Sequence, residues 1–142
     1  MTPADRQTLA RKLEYLRKQL SRLESYRSLS EDLLVSDLEK RLAVERLLEV
    51  SIQSVIDCSR LLVALEDWRE ARDEKDALEI LAQRDVLPTA LADALLQAKG
   101  LRNILVHEYA DIHPGLLFAH LREDVADLWA FAKSMGEWLE RK

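Results

Sequence analysis

Apolar residues recur along this chain at alternating steps of three and four, the period of an α-helix. Leu9, Leu13, Leu16, Leu20 and Leu23 make the first stripe, with Arg, Lys, Gln and Glu on the other faces. Thr2 and Pro3 open that helix with a hydroxyl cap and a proline at the first helical position. Ser30 caps a short turn, and Ser36 with Glu39 reads as the capping box of the next helix. From there to Leu65 no Gly or Pro intervenes, which allows about 43 Å of helix at ~1.5 Å per residue. Its stripe is Val44, Leu48, Ser51, Val55, Cys58, Leu62 and Leu65, which places Cys58 in the core as an inert thiol. Beside it Glu45, Glu49, Gln53 and Asp57 form a polar line at steps of four, either a solvent face or the border of a polar cleft.

The segment from Glu66 to Asp76 is charge-rich and reads as a loop anchored by Trp68, followed by a short helix over about Lys75 to Arg84. Pro88 and Thr89 start a helix that the pattern carries to Tyr109, and His113-Pro114-Gly115 breaks it. The last helix spans about Leu116 to Leu139, with Leu117, Leu121, Val125, Leu128, Ala132, Met135 and Leu139 on one face, flanked by Trp129 and Trp138 as packing residues. The expected fold is all-α, an antiparallel four-helix bundle with an additional short helix, forming a single domain over residues 1–142. Three glycines and three prolines in 142 residues leave no strand candidate and exclude turn-rich or low-complexity classes.

One cysteine excludes an intrachain disulfide and a cysteine-rich zinc site. No run of apolar residues is long enough to span a membrane, and the first 30 residues lack the apolar core of a signal peptide, so a cytoplasmic location is expected. Net charge is -5, unevenly spread: residues 1–30 carry seven Lys/Arg against three Asp/Glu. Bulk charge does not advertise nucleic-acid binding, so any such contact needs a local basic site.

The chemistry concentrates in Lys99-Gly-Leu-Arg-Asn-Ile-Leu-Val-His-Glu-Tyr109. The helix stripe there runs Leu91, Leu95, Ala98, Arg102, Leu105, Tyr109, so Arg102 takes a place the pattern reserves for an apolar group. A guanidinium in an apolar seam needs a partner or a wet cleft, and Asp57 and Glu49 are the candidate polar partners. Asn103 and His107 form an i,i+4 pair on the adjacent flank; at 100° per residue Tyr109 lies about 20° from Arg102 and His107 about 140° away. Arg supplies a fixed charge and a fork for phosphate oxygens, and His exchanges protons near neutral pH. The sequence contains no zinc-protease motif, Gly-rich phosphate loop or serine elbow, so neither a metal nor another cofactor is implied.

The motif Arg102-Asn-x-x-x-His107-x-Tyr109 resembles the Arg-x4-His-x-Tyr signature of HEPN domains, specifically the HepT-like toxin ribonucleases. The resemblance extends to Ala43-Val-Glu-Arg-Leu-Leu-Glu-Val-x-Ile-Gln-x-x-Ile-Asp57 and to the Lys99-Gly-Leu-Arg-Asn lead-in, and covers most of the chain. It implies metal-independent RNA cleavage with Arg102 and His107 as catalytic pair and Asn103 and Tyr109 supporting. It also implies a homodimer whose two motifs share one cleft. The implied partner is an MntA-type nucleotidyltransferase antitoxin that neutralises the toxin by adding AMP to Tyr109. The alternative is a non-catalytic HEPN module that binds a nucleotide or docks a nucleotidyltransferase, with Arg102 gripping a phosphate.

Overall fold

The computed structural model describes residues 1–106 and 113–142 in full and His107 in its backbone only. Its helices are α1 (Pro3–Glu24), α2 (Glu31–Ser36), α3 (Leu38–Leu65), α4 (Glu74–Gln83), α5 (Thr89–His107) and α6 (Pro114–Arg141). No strand occurs among the described residues. The four long helices form a ring in which α1 packs on α3, α3 on α5, α5 on α6 and α6 on α1, with α3 and α6 also meeting across the centre. Successive members run antiparallel. Along α1 and α6, Arg6 donates to the Leu139 carbonyl at one end, and Trp129 Nε1 donates to Glu24 Oε1 at 3.0 Å towards the other. Of the two short helices, α4 covers the α3–α5 edge and α2 the α3–α6 diagonal.

The stripes of α1 and α6 are buried at every position named above. Each of those helices offers one arc to the ring, so a single stripe of about 100° suffices. In α3 the stripe from Val44 to Leu62 is buried, and Leu65 is half-buried at the helix end. Cys58 is wholly enclosed, and burial pushes its thiol up to about 12, which keeps it protonated and unreactive at neutral pH.

α5 departs from its pattern. Leu91 and Leu105 are only half-buried, whereas Ala92, Leu95, Ala98, Leu101 and Arg102 are buried. The reason is that α5 packs against three helices, α3, α4 and α6, so its buried arc is wider and turned relative to a one-sided stripe.

Three boundaries differ from the sequence expectation, one being the start of α6, where Pro114 and Gly115 of the expected break are already helical. Ser36 is the last residue of α2, so its backbone is already helical, and Asp37 caps α3 instead. The Asp37 carboxylate accepts from the Lys40 backbone N–H and from Lys40 Nζ, each at 3.1 Å. The turn capped by Ser30 is a full short helix, so α2 joins α4 as a second small element. Thr2 caps α1 as expected, with Asp5 closing the box, and His113 caps α6 by accepting from the Gly115 N–H at 3.1 Å.

The segment 66–73 is tied down by Asp76, a carboxylate in the first turn of α4 that is 2% exposed. It accepts from Arg69 Nη1 at 2.7 Å, Arg69 Nη2 at 2.8 Å and the Arg72 backbone N–H at 2.9 Å. Those donors hold its pKa far below the ordinary carboxylate range. A depressed folded-state value gives stability that is fully present above the ordinary carboxylate pKa and drains away as pH falls below it. We expect Asp76→Asn to melt several degrees below the parent protein at pH 7, and the gap to narrow at pH 3. Paired thermal melts at the two pH values measure this; an unchanged gap would show that the pairing does not depend on the ionised carboxylate.

Candidate active site

Arg102 is placed by four elements acting together. Its backbone belongs to α5, at a position facing α3 and the start of α4, and it is 9% exposed. Nη1 donates to Gln53 Oε1 of α3 at 2.7 Å. Nη2 donates to Glu74 Oε1, in the first turn of α4, at 2.6 Å. The Gln53 amide then donates to Asp57 Oδ1 at 2.9 Å, and Lys99 Nζ lies 3.9 Å from the same Glu74 oxygen. The Asp76 clamp fixes the fourth element, the 66–73 segment, against the turn that carries Glu74.

The structure therefore reassigns the guanidinium's partners. Asp57 touches Arg102 only through Gln53, and Glu49 is engaged by Arg46 at 3.0 Å. The acid that meets Arg102 is Glu74, inside the stretch that the sequence pattern marks as a loop. A signal for it existed. Asp73 followed by Glu74 and Asp76 is a capping residue with acidic residues in the next turn, the usual marking of a helix start.

A guanidinium has five N–H donors. One on each Nη is committed here, and Nε is buried with no partner among the described residues. The Arg102 side chain keeps 11% of its surface open, and one hydrogen on each Nη is left by Gln53 and Glu74. Asn103, the next residue of α5, is half-buried. His107 closes the described part of α5, five residues or about 7.5 Å of helix rise beyond Arg102. Because α5 runs antiparallel to α3, that direction leads towards the part of α3 holding Glu49 and Arg46. Tyr109 lies outside the described residues, as does the His107 side chain.

A concave surface adjoins this network. A groove of about 240 Å³ is lined by Tyr15, Arg46, Glu49, Gln53 and Asp57, among others, so Gln53 has one face on the groove and one on Arg102. No group of three or more His, Cys, Asp or Glu able to hold a metal ion occurs among the described residues.

The HepT-like ribonuclease family model matches residues 16–135, a span that includes Gln53, Glu74, Arg102, His107 and Tyr109. The chain belongs to the HepT-like ribonuclease family. By that membership it is a ribonuclease, an endoribonuclease by class. A tRNA nuclease HepT of Aphanizomenon flos-aquae is 30% identical over 118 residues, which cover 83% of this chain and 80% of that protein. In fold, the chain is similar to the tri-AMPylated HEPN toxin of Shewanella oneidensis, solved in complex with an MNT antitoxin. The TM-score is 0.82 at 18% identity, with 96% of this chain and 99% of that one covered. It is likewise similar to YutE of Bacillus subtilis, a cytosolic protein of unknown function, with a TM-score of 0.82 at 22% identity over 96% and 92% of the two chains. No described helix of this HepT-like chain is long and apolar enough to cross a membrane.

Proposed function

We propose that this HepT-like toxin cleaves RNA without a metal ion, using Arg102 and His107 from each of two protomers. The observation that carries the reading is Arg102 itself, a buried guanidinium braced on two sides by Glu74 and by Gln53, which also lines a groove. Bracing fixes the side chain before substrate arrives, so little rotamer entropy is lost when a phosphate oxygen binds. RNA supplies its own nucleophile. A base removes the 2′-hydroxyl proton, that oxygen attacks phosphorus, and the 5′-oxygen departs with a proton from an acid. Imidazole performs either role, and a two-fold dimer brings two copies of His107 to one cleft. Asn103, beside Arg102 on the same helix, supports the bound phosphate.

The dimer has support on the surface. Leu33 and Val35 of α2 with Leu38 and Leu42 of α3 are exposed apolar residues, and Val106 and Leu116 flank the segment between α5 and α6. A cluster of that kind is commonly a protein interface. By analogy with the tRNA nuclease of Aphanizomenon, tRNA is the first substrate to try.

Incubating the purified protein with total RNA in excess chelator tests the reading. Fragments ending in 2′,3′-cyclic phosphate are expected; intact RNA under those conditions, with cleavage restored by a divalent ion, would refute metal independence. The non-catalytic alternative draws on the same ion pair, since an Arg102 occupied by Glu74 and Gln53 also suits a module that only grips a nucleotide. Nucleotide binding without RNA cleavage, with or without metal, would establish that alternative.

The neutralising partner is a nucleotidyltransferase antitoxin, in keeping with the MNT antitoxin bound to the Shewanella toxin. The Tyr109 hydroxyl attacks the α-phosphorus of ATP, a phosphoester forms, and pyrophosphate leaves. The added anion then repels and obstructs RNA. We expect Tyr109→Phe to remain toxic and to gain no AMP when incubated with ATP and the antitoxin. Intact-mass measurement decides it, and an AMP adduct on the Phe variant would move the acceptor to another residue.

A further inference from the structure

Tyr15 is the one aromatic among the large exposed apolar residues of the described chain, at 49% exposure. The remaining described aromatic side chains lie in the core or pack against it, including Trp68, Trp129, Trp138 and Phe131. Tyr15 stands on α1 where two grooves meet. One, of about 300 Å³, holds Arg11 and Lys12; the other, of about 240 Å³, holds Arg46 and Gln53. Both share Tyr15 and Asp57, so together they form one trough along the α1–α3 seam.

The charges in that trough are not balanced. Glu49 is paired with Arg46, while Asp57 accepts from the neutral Gln53 amide and keeps its charge, so Arg11 and Lys12 exceed it by one. Arg11 and Lys12 are exposed and form no ion pair among the described residues. Steps of four, three and four along α1 from Arg11 and Tyr15 reach Lys18 and Arg22, so a basic row with one aromatic member runs down a single helix face. With Lys12 the row holds four of the seven Lys/Arg of residues 1–30, on a chain whose net charge is -5.

We infer that the α1–α3 trough is a single-stranded RNA track, in which Tyr15 stacks on an unpaired base while Arg11 and Lys12 meet the flanking phosphates. An aromatic face beside a row of cations is the general solution for gripping a single strand, because every base has a π-face and every linkage a charge. Gln53 makes the track part of the machinery. It lines the trough and also accepts from Arg102, so a strand lying against Tyr15 passes within one side chain of the braced guanidinium. The inference rests on the nuclease reading above and extends it: the cut falls beside unpaired nucleotides, such as an exposed loop, and a duplex is a poor substrate.

The test uses the full-length protein carrying His107→Ala, so that bound RNA stays whole, and a fluorescent single-stranded RNA of twelve nucleotides. Adding Tyr15→Ala is expected to weaken binding about ten-fold, while Tyr15→Phe, which keeps the stacking face, stays within about two-fold. The Arg11→Ala, Lys12→Ala pair is expected to reduce the salt dependence of binding by about 0.7 in log–log slope for each phosphate left without its cation. A Tyr15→Ala protein that binds RNA as tightly as its parent overturns the track. So does one that keeps RNA affinity but no longer captures the antitoxin, since the trough would then be a protein-docking surface. If protein with His107 intact neither cuts nor binds RNA, the nuclease reading falls and takes the track with it. If it cuts RNA and Tyr15→Ala changes nothing, only the track falls.

Discussion

Substituting His107 by alanine is expected to lower RNA cleavage by about 10²–10⁴-fold, the range for loss of a general acid–base group, while leaving the melting temperature nearly unchanged. The stability half of that expectation comes from position. His107 ends the described part of α5, and the core cluster of α5 is built from Leu95, Ala98 and Leu101 nearer its middle. The activity half comes from chemistry: cleavage by the RNA 2′-hydroxyl moves two protons, and imidazole exchanges protons near neutral pH. Rates measured across pH should follow a bell, one limb for the imidazole acting as base and one for its counterpart acting as acid. Mixing His107→Ala subunits with unaltered subunits adds a test of the shared cleft. If one cleft uses both imidazoles, mixed dimers are as impaired as the variant, whereas independent sites would leave the unaltered protomer's share of the activity. A folded His107→Ala protein with full nuclease activity would remove the imidazole from the mechanism.

The second large effect is at Arg102, and here a simple truncation does not discriminate. Because Glu74 and Gln53 both bond the guanidinium, Arg102→Ala is expected to lose cleavage and also about 2–3 kcal/mol of stability. The figure sits below that for a fully buried pair, since Glu74 keeps 24% of its side chain in solvent and has Lys99 3.9 Å away. Arg102→Lys separates the two roles. An ammonium can still pair with Glu74 and hold most of the stability, but it lacks the planar fork that binds two oxygens in fixed geometry. The lysine variant is expected to melt within a few degrees of the parent and to cleave RNA about 10²–10³-fold more slowly, the loss typical of one removed donor to a charged transition state. Thermal melts and single-turnover cleavage on the same preparations give both numbers. Full activity in Arg102→Lys would assign the residue to the fold alone.

Much of the architecture is legible in residue spacing, and the reasons differ by element. α1 and α6 are readable residue by residue because each turns one arc to the ring and leaves the rest to water. α3 is readable in length because nothing in it breaks a helix, though its cap falls one residue later than the capping-box pattern suggests. α5 is readable in where it starts, its expected end at Tyr109 lying outside the described residues, but not in which residues it buries, because it packs against three helices. The family is legible in the Arg102-x4-His107-x-Tyr109 motif, whose residue types and spacing match the family's signature.

What the chain's own order of residues determined, then, is the set of helices, the apolar faces that join them, and the anomaly of a charged residue on one such face. Those properties depend on neighbours a few positions apart, and local sequence specifies them. Which groups answer Arg102 was decided by tertiary structure. Gln53 lies 49 positions before it and Glu74 lies 28 before it. Only the antiparallel path of α3 and the turn clamped by Asp76 bring them to the guanidinium. The trough beneath Tyr15 likewise belongs to neither α1 nor α3 alone. It exists because two helices of fixed radius, packed on their leucines, leave a furrow between their outer faces, and the residues lining a furrow are chosen by packing rather than by sequence distance.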